Sequence, residues 1–385
     1  MHTHSDRLER WLGAEQVARV SDAMRGWYGP PIAVHGVPGA VFATRDGDFI
    51  GEIRAGQEVG AFDVAQAALQ RFNRAQRAKV AQHKVWHRQG RGLAAGNRQA
   101  HAFSSLSALI SAATGGKKQD LTFQKTGVAA NAAGNCIDLW AQGSQPAAGA
   151  AGGAAPTVTT NTSATTGALP FANPGNANTL HFVTGYVTAN VAANTLLLYD
   201  RLFAVAKTMN STATEAVSGT FTRYQSAVAT DANYVGGNFV FPSSPTTVLP
   251  ATAHNWTVCQ YTNQSGVVGQ SIPSIAGVSA CVAGGVDLLA GRWFMPLSAG
   301  DVGVKALTQM QCSALVATGT IDFVVGHPIA FFPCPVANMV CIVDGINTAF
   351  NLTTVFDNAC LAFLEMPKPA TTAASYSGII SAVAE

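Results

Sequence analysis

From Asp63 to Asp120 the chain has no acidic residue between the two, although the same span holds ten Lys or Arg and three His. Charge is scarce throughout, at 11% of 385 residues, where soluble domains average about 25%. It is also unevenly placed. Residues 1–100 carry 14 basic and 9 acidic side chains, and residues 101–385 carry only 9 basic and 12 acidic ones. A body so poor in charge has little repulsion to keep its copies apart. The expectation is a surface packed against other copies, or one clothed in the many Thr, Ser and Asn of this region.

Other absences exclude whole classes. The most apolar stretch, about 321–343, is interrupted by Asp322, His327 and prolines and alternates like strands, so no transmembrane helix and no membrane contact are expected. The first 30 residues hold charges throughout and no apolar core, so no signal peptide is expected. Seven cysteines, all beyond residue 135, include no Cys-x-x-Cys pair. They read as buried thiols of a protein made in a reducing cytoplasm, ahead of disulfides or a metal site.

Catalytic motifs are missing too. There is no Gly-x-Ser-x-Gly elbow and no His-Glu-x-x-His. Gly115-Gly116-Lys117-Lys118 is not a phosphate loop, because Ser111 stands where the earlier glycine belongs and Lys118 where a Ser or Thr belongs. His83 and His87 share a helix face but have no acid or Cys beside them, so a polar face is the better reading than a metal pair. His181, His254 and His327 read as satisfied structural histidines. The acids of the body are scattered, and a glycosidase pair would require Asp200 or Asp231 to meet another carboxylate in the fold. Nothing calls for a cofactor or a metal, and no enzyme is expected.

What is present divides the chain in three. Residues 1–89 read as a small α+β head: an amphipathic helix at 5–27, strands at 41–44 and 49–53 around Asp46-Gly47, and a second helix at 62–88. Residues 90–118 read as a basic, glycine-containing arm with a short helix at 104–113. Residues 119–385 read as a β-rich body with a long Ala/Gly/Thr loop at 141–178, whose side chains are too small to build a core. Strands are expected at 121–126, 179–187, 195–203, 220–224, 238–241, 256–262, 293–296, 306–312, 319–325, 328–332 and 338–343. The turn residues between them, and the lack of long helical patterns, fit an antiparallel β-sandwich or jelly-roll.

The candidate functional feature is the basic run Arg71, Arg74, Arg77, Lys79, Lys84, Arg88, Arg91, Arg98, Lys117 and Lys118, opposed by no acid within its span. It has three readings: a solvated helix face, a dock for an acidic protein surface, and a phosphate-binding element. Only Phe72, Trp86 and Phe103 are interleaved with it, so stacking on nucleic acid is the least favoured.

Several strings carry a resemblance. SSLSALISAATGG at 104–116, Asp120-Leu121-Thr122-Phe123, Lys125-Thr126-Gly127, TLLLYDRL at 195–202 and DNACLAF at 357–363 resemble a family of tailed-bacteriophage virion structural proteins of the capsid-associated, decoration type. The resemblance covers about residues 104–385. It implies a particle component bound to the capsid and no catalytic residues. The expected function is therefore a capsid decoration or cement protein, a homotrimer whose partners are the major capsid protein and copies of itself, at the capsid surface of the virion. The alternative is a tail, fibre or receptor-binding component. A polysaccharide-acting enzyme and the major capsid protein itself rank lower, the latter because the body shows no long charged helix.

Overall fold

The computed structural model describes residues 39–43, 49–54, 103, 105–174, 180–219, 221–224, 236–346, 352–367 and 370–384. The chain divides into two units, Met1–Gly96 and Asn97–Glu385. In the first, β1 (Gly39–Ala43) and β2 (Phe49–Arg54) pair antiparallel, with Ala40 opposite Ile53 and Val41 opposite Glu52. These are the two strands expected to flank Asp46-Gly47, a turn that itself lies outside the described residues. The helices expected at 5–27 and 62–88 lie outside the described residues.

The second unit is mainly β, with antiparallel sheets, as its alternation and turn residues predict. It opens on α1 (Leu106–Ala112), whose first turn is capped by Ser105, the hydroxyl accepting the Ala108 N–H at 3.1 Å. Ten principal strands follow: β3 (Lys118–Thr126), β4 (Leu180–Ala189), β5 (Asn194–Thr208), β6 (Phe239–Ser243), β7 (Asn255–Asn263), β8 (Val304–Cys312), β9 (Thr320–Cys334), β10 (Val340–Asp344), β11 (Leu361–Glu365) and β12 (Ser375–Ala384). They form three sheets. The central sheet runs β6-β9-β5-β11 and ends on Ile137–Asp138. The covering sheet runs β10-β4-β12-β3 and ends on Ser144–Gln145. The small sheet is built on β8 and β7.

The central sheet is covered by both others. Phe123 of β3 stacks on Phe363 of β11 at 4.2 Å, and Phe182 of β4 meets Phe332 of β9 edge-on at 6.1 Å. From the small sheet, Trp256 meets Phe323 edge-on at 4.8 Å. Cover on both faces explains why β5 is buried almost along its whole length and why its sequence runs apolar without alternation.

Several expectations are corrected. The strands expected at 319–325 and 328–332 are one strand, β9, which takes up Pro328 at a register shift against β5. Residues 221–224 form a turn, with Tyr224 at φ +52°, and 293–296 are irregular. Their aromatic rings pack without strand pairing: Trp293 lies edge-on to Phe239 and Phe331. Strands β11 and β12 were not expected at all.

The loop at 141–178 does contribute to packing in its described part. Gly153–Ala154 pairs parallel, and Thr159–Thr160 antiparallel, with β5, while Leu169 is buried. The small side chains are what let this backbone lie flat on the sheet. At Gly149 a Cβ would fall 2.1 Å from the Trp140 ring, so only glycine fits beneath that indole. The cysteines are all free, and all but Cys341 are buried. Burial pushes the thiols of Cys136, Cys259 and Cys360 well up.

Candidate functional site

Of the ten basic residues expected to dock a partner, Arg71, Arg74, Arg77, Lys79, Lys84, Arg88, Arg91 and Arg98 lie outside the described residues. Lys117 and Lys118 are exposed where the chain leaves α1 and enters β3. Lys118 is not unopposed. Residues two apart share a strand face, and its Nζ donates to Asp120 at 2.9 Å. Ser381 donates to the other oxygen of Asp120, and these bonds hold that carboxyl below its usual range. The first acid after the basic run therefore neutralises its last base.

Half of the body's described charge is inside. Of the 21 charged residues beyond residue 100, Asp231, Lys368 and Glu385 lie outside the described residues, which leaves 18. Nine of these are buried: Lys125, Asp138, Asp200, Arg201, Lys207, Arg223, Asp287, Asp322 and Glu365. Only Lys117, Lys118, Asp120 and Arg292 are exposed, and the rest are half-buried. Such side chains are almost never fully buried unless paired, and the partners are visible.

Arg223 and Asp200 form a two-pronged pair. Nε and one terminal nitrogen donate to the two carboxylate oxygens at 2.7 and 2.8 Å, and the Cys360 N–H donates to the same carboxylate at 2.9 Å. Arg201, next to Asp200 in β5, points to a different group. It donates to Asp138 at 3.2 Å and to Asp322 at 3.4 Å, and its guanidinium lies 4.7 Å from the centre of the Trp140 ring. Tyr199 OH and the Trp140 N–H also donate to Asp138, and the Gly152 N–H donates to Asp322 at 2.8 Å. The segment after β3 is thereby pinned to the core at both Trp140 and Gly152.

This second group is less well satisfied. Arg201 Nε and Asp322 Oδ1 have no hydrogen-bond partner among the described residues. Burial raises the Asp322 carboxyl to about 6, against the pull of Arg201. Asp138 and Asp322 are carboxylates brought to one guanidinium from positions 63 and 121 residues away from it in sequence. The acid whose partner the sequence left open, Asp200, meets an arginine and not a carboxylate.

The three histidines are satisfied as expected. His181 Nδ1 lies 3.2 Å from the Leu352 carbonyl. His327 stacks on Tyr224 with ring centres 3.8 Å apart and pairs with Asn238 at 2.8 Å, and burial lowers it to about 3. His254 places both ring nitrogens against acceptors, the Thr252 carbonyl at 3.0 Å and Asp287 at 2.8 Å. Burial is the largest influence and opposes its charge, but the hydrogen bond and charge of Asp287 together with the Thr252 carbonyl outweigh it and raise its pKa. Among the described residues no group of three or more His, Cys, Asp or Glu is placed to hold a metal ion, and no helix is long and apolar enough to cross a membrane.

Sequence reasoning missed the buried pairs, although one signal was present. Asp200-Arg201 sits inside TLLLYDRLFAVA, an apolar strand with no solvent to receive a charge, so both residues had to find partners within the fold.

No family model matches the chain, and no curated protein matches it. Seven chains of solved structures match. One is from a structure of the Gt strain of infectious bursal disease virus, at 9% identity and TM-score 0.15, covering 69% of this chain and 80% of that one. Another is from a crystal structure of the infectious bursal disease virus VP2 subviral particle, at 8% identity and TM-score 0.16, with the same coverage. TM-scores this low define no shared fold.

Proposed function

We propose that the chain is a structural component of a virus particle, a capsid decoration or cement protein of a tailed bacteriophage. The observation that carries this reading is the placement of charge. The body buries half of its described ions against internal partners, exposes only four, and leaves an exterior mainly of small, hydroxyl and apolar side chains. Charge repulsion and the cost of desolvating ions are what ordinarily oppose close packing of copies, and this surface offers little of either. The carboxylates brought together, Asp138 and Asp322, are buried and joined to Arg201, which suits a structural role better than work on a polysaccharide.

In this reading the body forms homotrimers at three-fold positions of the shell. The basic run from Arg71 to Lys118 grips the acidic surface of the major capsid protein or a neighbouring copy, and many weak contacts stabilise the shell against internal pressure. The free cysteines suit synthesis in the reducing cytoplasm of a bacterial host. The test is a comparison of particles with and without the protein under heat and low salt. Particles lacking it are expected to rupture at lower temperature, and equal resistance would overturn the reading. A tail or fibre component would show itself as a few copies per particle.

A further inference from the structure

The outer face of the covering sheet is partly apolar and nearly free of charge. Strand register places its residues in rows. Ile342 of β10 lies opposite Tyr186 of β4, Tyr186 opposite Ile379 of β12, and Ile379 opposite Thr122 of β3. The next row is Val340, Thr188, Ser377 and Gln124. Residues paired in register point to the same side of a sheet, so the apolar members form one patch across three strands. Ile342 is 61% exposed, Val340 52%, Tyr186 44% and Ile379 40%.

The polar side chains of this face already bond to one another. Thr188 and Ser377 hydroxyls lie 2.9 Å apart, Thr126 and Ser375 hydroxyls 3.1 Å apart, and Gln145 donates to Thr122 at 3.3 Å. Covering them leaves few donors or acceptors stranded, so the desolvation cost of burial is small. The formal charges of the face sit at one margin, Asp344 in the row with Thr184 and the neutral Lys118–Asp120 pair. The edge is open as well. Among the described residues β10 pairs only with β4, and it carries neither Lys nor Pro to discourage a further strand.

We infer that this face, with the β10 edge, is the contact surface for a second copy of this chain. Two arguments select that occupant. The first is area. The four apolar residues expose about two whole side chains' worth, roughly 400 Å² at about 200 Å² each. The hydroxyl and amide rows add a comparable area, which brings the face close to the roughly 800 Å² per partner of a standard interface. The second is charge. A face whose net charge is the single Asp344 at its margin gives an acidic or basic partner little to hold, while a copy of itself meets it with little repulsion. The inference rests on the reading of the chain as a particle component and names the partner of its neutral exterior.

The test is sedimentation of the full chain from low to about 100 μM, far above the dissociation constant of an interface of this size. The expected result is a mass of two or more chains. Ile342→Asp combined with Ile379→Asp buries like charges in the contact and is expected to weaken association at least about 100-fold, with melting temperature and circular dichroism unchanged. Ile379→Ser, too mild to unfold a strand, is expected to weaken it about tenfold. Val268→Asp, at an exposed apolar residue off this sheet, is expected to leave association as it was. A monomeric wild-type chain, variants that associate as tightly as wild type, or equal loss on Val268→Asp would each overturn the inference. Association in solution by a chain that is absent from particles would leave it standing and remove only the virion reading.

Discussion

Within the body, the interior and the outer face of the covering sheet invert the usual order of a soluble protein. Nine described charges lie buried and four lie exposed, while Ile342, Val340 and Tyr186 stand toward solvent. The two arginines of the core refine that contrast. Arg223 holds Asp200 with short, two-pronged bonds, whereas Arg201 is divided between Asp138 and Asp322 at longer range. The difference teaches what buried charge does in this fold. One pair is a closed clamp that joins β5 to the turn at 221–224. The other fastens the glycine-rich segment to the sheet and leaves polar atoms unsatisfied. Buried ions stabilise a fold only when every partner is in place.

Breaking the closed clamp gives the largest expected effect. Arg223→Ala leaves Asp200 buried without its counter-ion, and urea denaturation is expected to show a loss of about 3–5 kcal/mol. A loss under about 1 kcal/mol would mean that the clamp is not formed in solution.

The open group is expected to respond to pH. The folded-state pKa of Asp322 is raised to about 6 from 3.8. Its contribution is therefore fully present below about pH 3.8 and is lost as pH rises through about 6. His254 is also raised, so its contribution is present below about 6.5 and is lost as pH rises through its folded value. Both act in one direction, while His327, lowered to about 3 by burial, acts in the other: its contribution is present above about pH 6.5 and is lost as pH falls toward 3. Asp322→Asn, which mimics the neutral acid, is expected to gain on wild type by about 3 kcal/mol between pH 4 and pH 7. Denaturation midpoints of both proteins across that range check it, and parallel curves would contradict it.

A smaller effect is expected where the central and covering sheets meet. A Cβ at Gly185 would lie 2.4 Å from the Phe332 ring. Gly185→Ala is expected to cost about 1–3 kcal/mol through overpacking, read as a lowered melting temperature. On the outer face the contrast reverses. Ile342→Asp is expected to change the stability of the single chain by no more than about 0.5 kcal/mol while it weakens association.

These contrasts were only partly legible in the sequence. The alternation Leu121, Phe123, Lys125 against Thr122, Gln124 marks β3 plainly, because one of its faces is buried and the other is not. Strand β9 was split in expectation by Pro328, whose missing donor is absorbed by a register shift that only the pairing with β5 reveals. Strand β11 is five residues, all buried, and β12 opens on Ser, Tyr and Ser with a glycine inside, so neither displays clean alternation. The rings at Phe221 and Tyr224, buried, and Trp293, half-buried, imitated strand residues because packing rather than a sheet covers them. The charge split was visible at once, but not that Asp138, Arg201 and Asp322 converge, since long-range partners leave no local pattern. The basic run from Arg71 to Arg98 remains a proposal of the sequence.

For the proposed shell role the most direct measurement is the copy number of this chain in purified virus particles, from gel densitometry against the major capsid band. A shell component with a neutral, self-packing exterior is expected at hundreds of copies per particle, in a fixed ratio to the capsid protein. A handful of copies, or none, would contradict it.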